Sequence, residues 1–346
     1  MIKVLIVDDS AVVRKVLTDE LSRYRGIEIV GTAVDPYVAR DKIVKLKPDV
    51  LTLDLEMPKM DGLSFLSKLM RFYPMPVIVV SSVAPENSRN ALKALDLGAV
   101  DVLSKPGGAY STADISRNLA HSIITAASAT VKPNPEKSDS LSKKPKVEDF
   151  SFETTNRVIA IGASTGGTKA IEVVLSSMPS TSPGTLIVQH MPEKFTTTFA
   201  GRLNEICPME IREARDNDYV VPGVALIAPG NFHMVLKRNG ANYVVKIKDG
   251  PRVNYQRPAV DVLFNSVAKN AGSNAVGALL TGMGCDGASG LLKMKQSGSY
   301  TVAQNEATCI VFGMPKEAIK LGAAAKVVPL QDISSTIIKV LHKDRK

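Results

Sequence analysis

Short apolar runs alternate with amphipathic stretches over residues 1–105. The runs VLIV at 4–7 and VIVV at 77–80 are apolar throughout, which predicts strands buried on both faces. Five strands are predicted, at residues 3–7, 28–33, 50–54, 77–81 and 101–103. Amphipathic helices are predicted between them, for example at 10–24 and 62–72. This alternation predicts a five-stranded parallel sheet with helices on both faces.

The second half of the chain repeats this alternation. Strands are predicted at residues 157–161, 185–189, 224–228, 276–280 and 300–303. Helices are predicted at residues 168–177, 258–270 and 287–296. An RNG turn separates two short strand-like runs at 235–236 and 243–248, which predicts a hairpin. We therefore expect a second doubly wound, mostly parallel α/β domain.

The segment between the two halves differs in composition. Residues 133–149 read PNPEKSDSLSKKPKVED, which is rich in Pro, Ser and Lys and has no aromatic residue. Such a segment cannot bury enough apolar area to fold, so a flexible linker is predicted at 126–152. A helix predicted at about 114–129 leads into it. The two predicted domains then cover residues 1–125 and 153–346.

The net charge of +9 lies mostly in the second half. Residues 1–131 carry 16 basic and 15 acidic residues, whereas residues 151–346 carry 22 and 15. No helix-turn-helix, zinc-finger or aromatic RNA-binding motif accompanies this charge, so we expect no nucleic-acid partner and favour an acidic protein partner. The N-terminus lacks a signal-peptide pattern and no apolar run reaches membrane-spanning length, which predicts a cytoplasmic protein.

Acidic side chains gather where the predicted strands of the first half end. Asp8 and Asp9 follow the first strand, and Asp54 ends the third. Ser81 ends the fourth strand, and Lys105 follows the fifth. Because parallel strands present their carboxyl ends at one edge, these side chains should meet there and bind Mg²⁺. Asp54 is then the expected nucleophile for a phosphoryl group, with Lys105 and Ser81 as phosphoryl contacts.

The strings VDDS, LDLEMPKMDG, VVSS and SKP resemble response-regulator receiver domains over essentially residues 1–125. The resemblance implies a flavodoxin-like fold phosphorylated at Asp54. It also implies Mg²⁺ ligands at Asp9, Asp54 and the backbone carbonyl of Glu56, supported by Asp8. Val102 departs from the family, because receivers usually carry Tyr or Phe three residues before the lysine. That departure argues against a switch between Ser81 and an aromatic residue.

In the second half, GASTGG at 162–167 follows a predicted strand and precedes a helix. It matches G-x-S-x-G, in which glycines allow the sharp turn that exposes a nucleophilic serine, here Ser164. A phosphate-binding turn, or a plain tight turn, is the alternative. A base is needed, and His190 ends a predicted strand whereas His233 follows a loop. His121 and His342 lie in the helix before the linker and in the charged tail, so we favour His190.

The third member of a triad should be a carboxylate that orients the imidazole. Asp286 is favoured because it lies just past the strand at 276–280, in TGMGCDG. The other candidates lie in loops or within a predicted helix: Asp216, Asp218, Asp249 and Asp261. The backbone N–H of Met283, in the same glycine-rich run, could form an oxyanion hole.

The glycine-rich run has a rival interpretation. Gly282-x-Gly284-x-x-Gly287 also fits a dinucleotide-binding fingerprint, with Glu306 about 20 residues on. The run lies late in the domain, and this interpretation would leave Ser164 without a role. A nicotinamide-dependent oxidoreductase is therefore a minor alternative.

The strings IGASTGG, VQHMP, APG-N-FH, RPAVD-LF, LTGMG-DG and FGMP, taken in order, resemble the CheB family of chemotaxis protein-glutamate methylesterases. The resemblance implies a triad of Ser164, His190 and Asp286, with Met283 and Thr165 at the oxyanion hole. It implies hydrolysis of glutamate methyl esters on chemoreceptors, deamidation of receptor glutamines, and no esterase cofactor. A chemotaxis histidine kinase would donate the phosphoryl group, and the protein would meet the membrane only through receptors. The remaining alternative is a response regulator whose output domain docks a partner without catalysis.

Overall fold

The structure is a computed structural model that describes residues 1–81, 85–105, 112–127 and 157–343. The chain forms two compact units, Met1–Ser140 and Leu141–Lys346. Most of the predicted linker at 126–152 lies outside the described residues, so the linker and the predicted domain boundaries stay predictions. No helix in the described part of the chain combines the length and apolar character needed to cross a bilayer.

The N-terminal unit is built on a parallel five-stranded sheet in the order β2-β1-β3-β4-β5. Its strands are β1 (Ile2–Val7), β2 (Ile27–Ala33), β3 (Val50–Leu53), β4 (Val77–Ser81) and β5 (Asp101–Ser104). Its helices are α1 (Ala11–Leu21), α2 (Pro36–Leu46), α3 (Gly62–Phe72), α4 (Pro85–Leu97) and α5 (Thr112–Ala126). This order is that of flavodoxin-like folds, so the predicted fold is confirmed.

Local sequence explains where these helices begin. Asp35 caps α2 by accepting a hydrogen bond from the Val38 backbone N–H, and Pro36 occupies the first helical turn. Asp61 caps α3 in the same way through the Ser64 N–H. Both caps hold loops that follow strand ends, so they help to fix the edge where the acidic residues collect.

The C-terminal unit is built on a seven-stranded sheet in the order β14-β13-β12-β6-β7-β9-β8, and every neighbouring pair is parallel. Its strands are β6 (Val158–Ala163), β7 (Gly184–Gln189), β8 (Glu210–Glu213), β9 (Val224–Ile227), β12 (Ala275–Leu279), β13 (Tyr300–Gln304) and β14 (Lys326–Val328). A separate antiparallel hairpin joins β10 (His233–Asn239) to β11 (Asn242–Lys248), as predicted.

Six helices of the C-terminal unit are described. They are α6 (Gly167–Ser176), α7 (Phe195–Ile206), α8 (Val260–Asn270), α9 (Ala288–Gln296), α10 (Met314–Lys320) and α11 (Ile333–Lys343). The largest side chains of the core, Phe195, Phe199 and Phe264, come from α7 and α8. The predicted doubly wound α/β architecture is confirmed, and its three central strands are β12, β6 and β7.

The prediction from sequence was incomplete at the edges of the second sheet. The strands β8 and β14 were not predicted, and neither were the helices α7, α10 and α11. The helix expected at 114–129 runs instead from Thr112 to Ala126. The ends of the predicted strands in the two parallel sheets moved by at most two residues, which is ordinary for boundaries that depend on hydrogen bonds rather than on pattern. The hairpin strand predicted at 235–236 is longer and runs from His233 to Asn239.

Candidate functional site

The three acidic residues of the N-terminal unit meet at the carboxyl edge of its sheet. Carboxylate oxygens of Asp8, Asp9 and Asp54 all lie within 4.8 Å of one another. Asp8 and Asp54 are almost fully buried, whereas Asp9 is exposed. The Ser10 backbone N–H donates to Asp8 Oδ1 at 2.8 Å and fixes that carboxylate. The predicted cluster therefore forms from residues that are distant in sequence.

Lys105 supplies a positive charge to this cluster. Its Nζ lies 2.6 Å from Asp54 Oδ2 and 3.0 Å from Asp8 Oδ2. Burial raises the pKa of Asp54, although hydrogen bonding and attraction to Lys105 oppose the shift. Burial works against the charged form of Lys105, but its pairing with Asp54 and Asp8 raises the lysine pKa overall. The partly buried Lys105 ammonium thus lies against the buried Asp8 and Asp54 carboxylates.

The remaining features of this edge fit a bound divalent cation and a phosphoryl group. Ser81 Oγ is buried and has no hydrogen-bond partner among the described residues, so a hydroxyl is available beside the acids. The Glu56 backbone N–H donates to Asp54 Oδ1 at 3.2 Å, which places the Glu56 backbone next to the cluster. Three carboxylates supply the hard oxygen ligands that Mg²⁺ prefers. The donor set therefore fits Mg²⁺.

Ser164 lies in the turn between β6 and α6. Its backbone N–H donates to the Thr281 carbonyl at 3.0 Å, which ties the turn to the end of β12. Its own carbonyl accepts the Gly167 N–H at 2.7 Å. Gly166 adopts a left-handed backbone (φ 76°) as the N-cap of α6, which explains why glycine follows Ser164-Thr165. The sharp turn predicted from G-x-S-x-G is present.

His190 and Asp286 are hydrogen-bonded to each other. His190 Nε2 lies 2.8 Å from Asp286 Oδ2, and the two side chains are 6% and 3% exposed. The other ring nitrogen of His190, Nδ1, is buried and makes no hydrogen bond to any described residue. His190 follows β7 and Asp286 follows β12, so the two flank the β6 turn of Ser164 at the same edge. No hydrogen bond joins the Ser164 hydroxyl to His190 within the described residues.

The Asp286 carboxylate is held by two backbone amides at the start of α8. Its Oδ2 accepts from the Val260 N–H at 2.6 Å, and its Oδ1 accepts from the Asp261 N–H at 3.1 Å. Burial raises the pKa of Asp286, but the bonds from His190, Asn254 and Val260 outweigh it, and the pKa lies below its usual value. The positive end of the α8 dipole favours the same charged state.

The competing candidates have other partners. His233 is buried, with Nε2 at 2.9 Å from the Pro251 carbonyl and Nδ1 accepting from the Ala259 N–H at 3.3 Å. Both of its ring nitrogens are occupied, so it holds the loop before α8. The other candidate carboxylates, three in loops and Asp261 in α8, bond to groups other than the histidines: Asp216 to Ile247, Asp218 to Arg212, Asp249 to Arg257, and Asp261 to Gly290. Among the described carboxylates, Asp286 alone bonds to a histidine.

Gln189 is a residue that sequence reasoning missed. Its side chain is buried at the end of β7, and Nε2 lies 2.9 Å from the Ser164 carbonyl and 3.3 Å from the His190 carbonyl. A β-carbon on Gly167 would lie 2.1 Å from Gln189 Oε1, so glycine at 167 makes room for this amide. A buried polar side chain at a strand end, directly before a histidine, was the available signal.

Gly282 brings the loop after β12 against Ser164. A β-carbon there would lie 2.8 Å from Ser164 Cβ and 2.3 Å from the Met314 sulfur. We therefore expect Gly282→Ala to lower the free energy of unfolding by about 1–3 kcal/mol, because the extra methyl overpacks a closed site. Denaturant unfolding of the full chain measures the change.

Gly201→Ala is the matched control. Gly201 lies inside α7, and a β-carbon there would meet nothing within 4 Å. We expect this variant to be more stable by about 0.5–1 kcal/mol, because alanine favours the helix. Equal stabilities for the Gly282→Ala variant and the parent would contradict the close packing.

Two family models match the chain. The CheB methylesterase model matches residues 159–337, and the response regulator receiver domain model matches residues 4–113. The catalytic domain of Thermotoga maritima CheB methylesterase, a solved crystal structure, is 36% identical, with a TM-score of 0.53, over 54% of this chain and 100% of that one. The second unit thus resembles a known catalytic domain in sequence and in fold.

Full-length relatives match both units together. A protein-glutamate methylesterase/protein-glutamine glutaminase of Syntrophus aciditrophicus is 58% identical over 98% of this chain and 99% of its own length. The Escherichia coli K12 protein of that name is 51% identical over 97% and 96%. On this evidence the chain belongs to the CheB methylesterase family and carries a response regulator receiver domain at its N-terminus.

Proposed function

We propose that this protein hydrolyses glutamate methyl esters on chemoreceptors, and deamidates receptor glutamines, when its receiver domain is phosphorylated. The names of its full-length relatives support the two reactions. The observation that carries the proposal is the 2.8 Å bond between His190 and Asp286 at the sheet edge where the Ser164 turn lies. Nucleophile, base and orienting carboxylate come from three adjacent strand ends, which is the arrangement that acyl transfer needs.

In the proposed reaction, Ser164 Oγ attacks the ester carbonyl while its proton passes to His190. Nδ1 is the accepting atom, because Nε2 is engaged by Asp286 and Nδ1 is free. As the C–O bond to the methoxy group breaks, the imidazolium protonates the leaving methoxide, methanol departs and an acyl-enzyme remains. Water repeats the attack with the same base, which frees Ser164 and leaves a glutamate carboxylate. A glutamine side chain follows the same path and releases ammonia.

The Ser164 hydroxyl has to turn toward His190 Nδ1 before it can react. Catalytic hydrogen bonds are often long or unformed without substrate, so the missing bond is compatible with this role. Asp286 stabilises the imidazolium that forms, because hydrogen bonds from His190, Asn254 and Val260 hold its pKa low and keep it charged.

We assign the oxyanion hole to the backbone N–H groups of Thr165 and Met283. Thr165 directly follows the nucleophile and precedes the N-terminus of α6, whose dipole favours a negative charge. Met283 follows Gly282, which packs against Ser164. Two backbone donors near the serine would bind the tetrahedral oxygen more strongly than the ester carbonyl.

In the receiver domain, Asp54 is the proposed phosphoryl acceptor, with Lys105 and Ser81 contacting the phosphoryl oxygens. Lys105 already bonds Asp54 at 2.6 Å, and Ser81 Oγ is buried with no partner in the part of the chain that the structure describes. The proposed Mg²⁺ ligands are the carboxylates of Asp9 and Asp54 and the Glu56 carbonyl, with Asp8 in support. A bound Mg²⁺ supplies charge neutralisation for the phosphoryl oxygens.

The proposed partners follow from the two domains. A chemotaxis histidine kinase donates the phosphoryl group, and methyl-accepting chemoreceptors present the substrate in the cytoplasm. Residues 151–346 carry 22 basic and 15 acidic residues, an excess that favours docking on an acidic receptor surface.

Phosphorylation is tested by Asp54→Asn. The amide cannot form an acyl phosphate, so we expect methanol release from methylated receptor membranes to show no stimulation by an acyl-phosphate donor, while the parent is stimulated. Asp19→Asn, on the exposed face of α1, is the control and should respond like the parent. Stimulation of the Asp54→Asn variant would place the phosphoryl group elsewhere.

A further inference from the structure

A strained turn precedes α8. Asn254 and Tyr255 both have positive φ, 50° and 65°, and backbone bonds of 3.0 and 2.9 Å between Val253 and Gln256 close the turn. Such a turn favours Asn followed by Gly, because most residues other than Asn and Gly rarely adopt a positive φ. Here the second position holds a tyrosine that is 62% exposed. Strain of this kind persists only where other contacts hold the segment.

The Asn254 side chain supplies such contacts. Its Nδ2 lies 2.8 Å from Asp261 Oδ2 and 2.9 Å from Asp286 Oδ1. An amide nitrogen carries two hydrogens, so it can donate one to each carboxylate. Asn254 is exposed overall, but its side-chain amide reaches Asp286, the carboxylate that bonds His190.

Asp286 and Asp261 each accept hydrogen bonds from the N-terminus of the other's neighbouring helix. Asp286, just before α9, accepts the Val260 and Asp261 N–H groups of α8. Asp261, in the first turn of α8, accepts the Gly290 N–H of α9 at 2.6 Å. Neither helix has a side-chain cap of its own, so each carboxylate serves the other helix. Asn254 is the donor that joins them.

Both carboxylates are buried, Asp286 to 2% and Asp261 to 8% exposure. Burial, and repulsion from Asp286, raise the pKa of Asp261. Two neighbouring buried carboxylates repel each other when both are ionised, and a hydrogen-bond donor shared between them offsets this repulsion. Asn254 is placed to offset that repulsion and to stop Asp286 from turning away from His190.

We propose that Asn254 is a positioning residue for ester hydrolysis, which keeps Asp286 aligned with His190 by donating to Asp286 and Asp261 together. This inference rests on the proposed function of the triad. Asn254 does not touch substrate in this proposal and acts only through Asp286.

Asn254→Gly deletes the amide while keeping a residue that adopts positive φ without strain. We expect kcat for methanol release by the full chain to fall about 10- to 100-fold, because that is what the loss of a hydrogen bond to a charged group costs. KM should stay within about twofold of the parent value. Asn217→Gly is the matched control, since Asn217 has φ 68° and its amide bonds Asp216 and Lys246. Parent-like kcat in Asn254→Gly would overturn the proposal.

Asn254→Asp separates positioning from a purely structural role. The new carboxylate would repel Asp261 and Asp286 when ionised but could donate one hydrogen bond when protonated. Among the described residues, His190 bonds Asp286, and burial together with Asp261 and Asp286 raises the pKa of the nearby Cys285 thiol. Arg252 reaches the Tyr255 carbonyl at 3.4 Å. We expect the kcat of Asn254→Asp, divided by that of the parent at each pH, to rise as pH falls. A flat ratio would contradict the proposal.

A readout independent of activity distinguishes this inference from the proposed function. The proton between His190 and Asp286 should give a downfield NMR resonance in the full chain, and we expect it to shift or broaden in Asn254→Gly but not in Asn217→Gly. An unchanged resonance would overturn the positioning role even if the parent releases methanol. A parent that releases none would overturn the proposed function, while the resonance would still decide the role of Asn254.

Discussion

Ser164→Ala is expected to reduce methanol release from methylated receptor membranes to background, a loss of about 10³- to 10⁶-fold in kcat. Alanine removes the only atom that can form the acyl-enzyme, and what remains is binding and the oxyanion hole. The fold should survive, because Ser164 contributes to the turn through its backbone, which bonds Thr281, Gly167 and Gln189. The measurement is methanol release by the full chain with an acyl-phosphate donor, alongside denaturant unfolding.

A serine elsewhere in the same domain is the control for this variant. Ser297 lies at the C-terminal end of α9, and its hydroxyl donates to the Lys293 carbonyl at 2.7 Å on the surface. Ser297→Ala should keep the parent kcat. Normal turnover by Ser164→Ala would eliminate Ser164 as the nucleophile, and labelling by a serine-reactive phosphonate would then locate another one.

The candidate site could be predicted from the sequence where a reactive side chain directly follows a predicted strand. Ser164 and His190 were selected because each follows an apolar run that predicts a buried strand. In the structure these runs are β6 and β7, which are neighbours in the sheet. Since parallel strands end at one edge, a polar residue directly after each apolar run is placed by topology alone. The same logic brought Asp8, Asp9 and Asp54 together.

Contacts made by side-chain amides could not be predicted in this way. The Gln189 amide lies 2.9–3.3 Å from the carbonyls of Ser164 and His190, and the Asn254 amide lies 2.9 Å from Asp286. Asn254 lies in an irregular segment 32 residues before Asp286 and has no periodic pattern around it. Its side chain reaches Asp286 because the loop before α8 folds back over the end of β12, and no local propensity encodes that path.

The sheet edges were missed for a different reason. In β8 one of four residues is buried, and in β14 one of three. Apolar periodicity reports burial, so strands that bury little carry little signal. Their sequences, EIRE and KVV, also carry the charges that protect exposed sheet edges. The central strands, buried along their whole length, were the ones recovered.

Asp286→Asn is expected to lower kcat about 10³- to 10⁴-fold with little change in the fold. Each Asp286 oxygen accepts two hydrogen bonds, one of them from a backbone amide of α8. In either orientation the asparagine NH₂ would face two donors, so two bonds are lost. If the NH₂ faces His190, the imidazole is no longer held in its tautomer; if it faces Asn254 and the Asp261 N–H, the side chain loses the donors that align it. Without the negative charge, the imidazolium formed on His190 is also left unstabilised.

The same variant makes a pH-dependent prediction for stability. The pKa of Asp286 is lowered in the folded protein, so its carboxylate stabilises the fold above the unfolded pKa of about 4, and this contribution is lost as pH falls toward the folded pKa. The parent should therefore exceed Asp286→Asn in free energy of unfolding near neutral pH, and the difference should shrink in acid. Asp332→Asn, at an exposed position before α11, is the control and should match the parent throughout. A difference in free energy of unfolding between the parent and Asp286→Asn that stays constant from pH 7 to about pH 3 would contradict this prediction. The Asp286 charge would then not stabilise the start of α8, and the explanation of how this carboxylate is fixed beside His190 would be wrong.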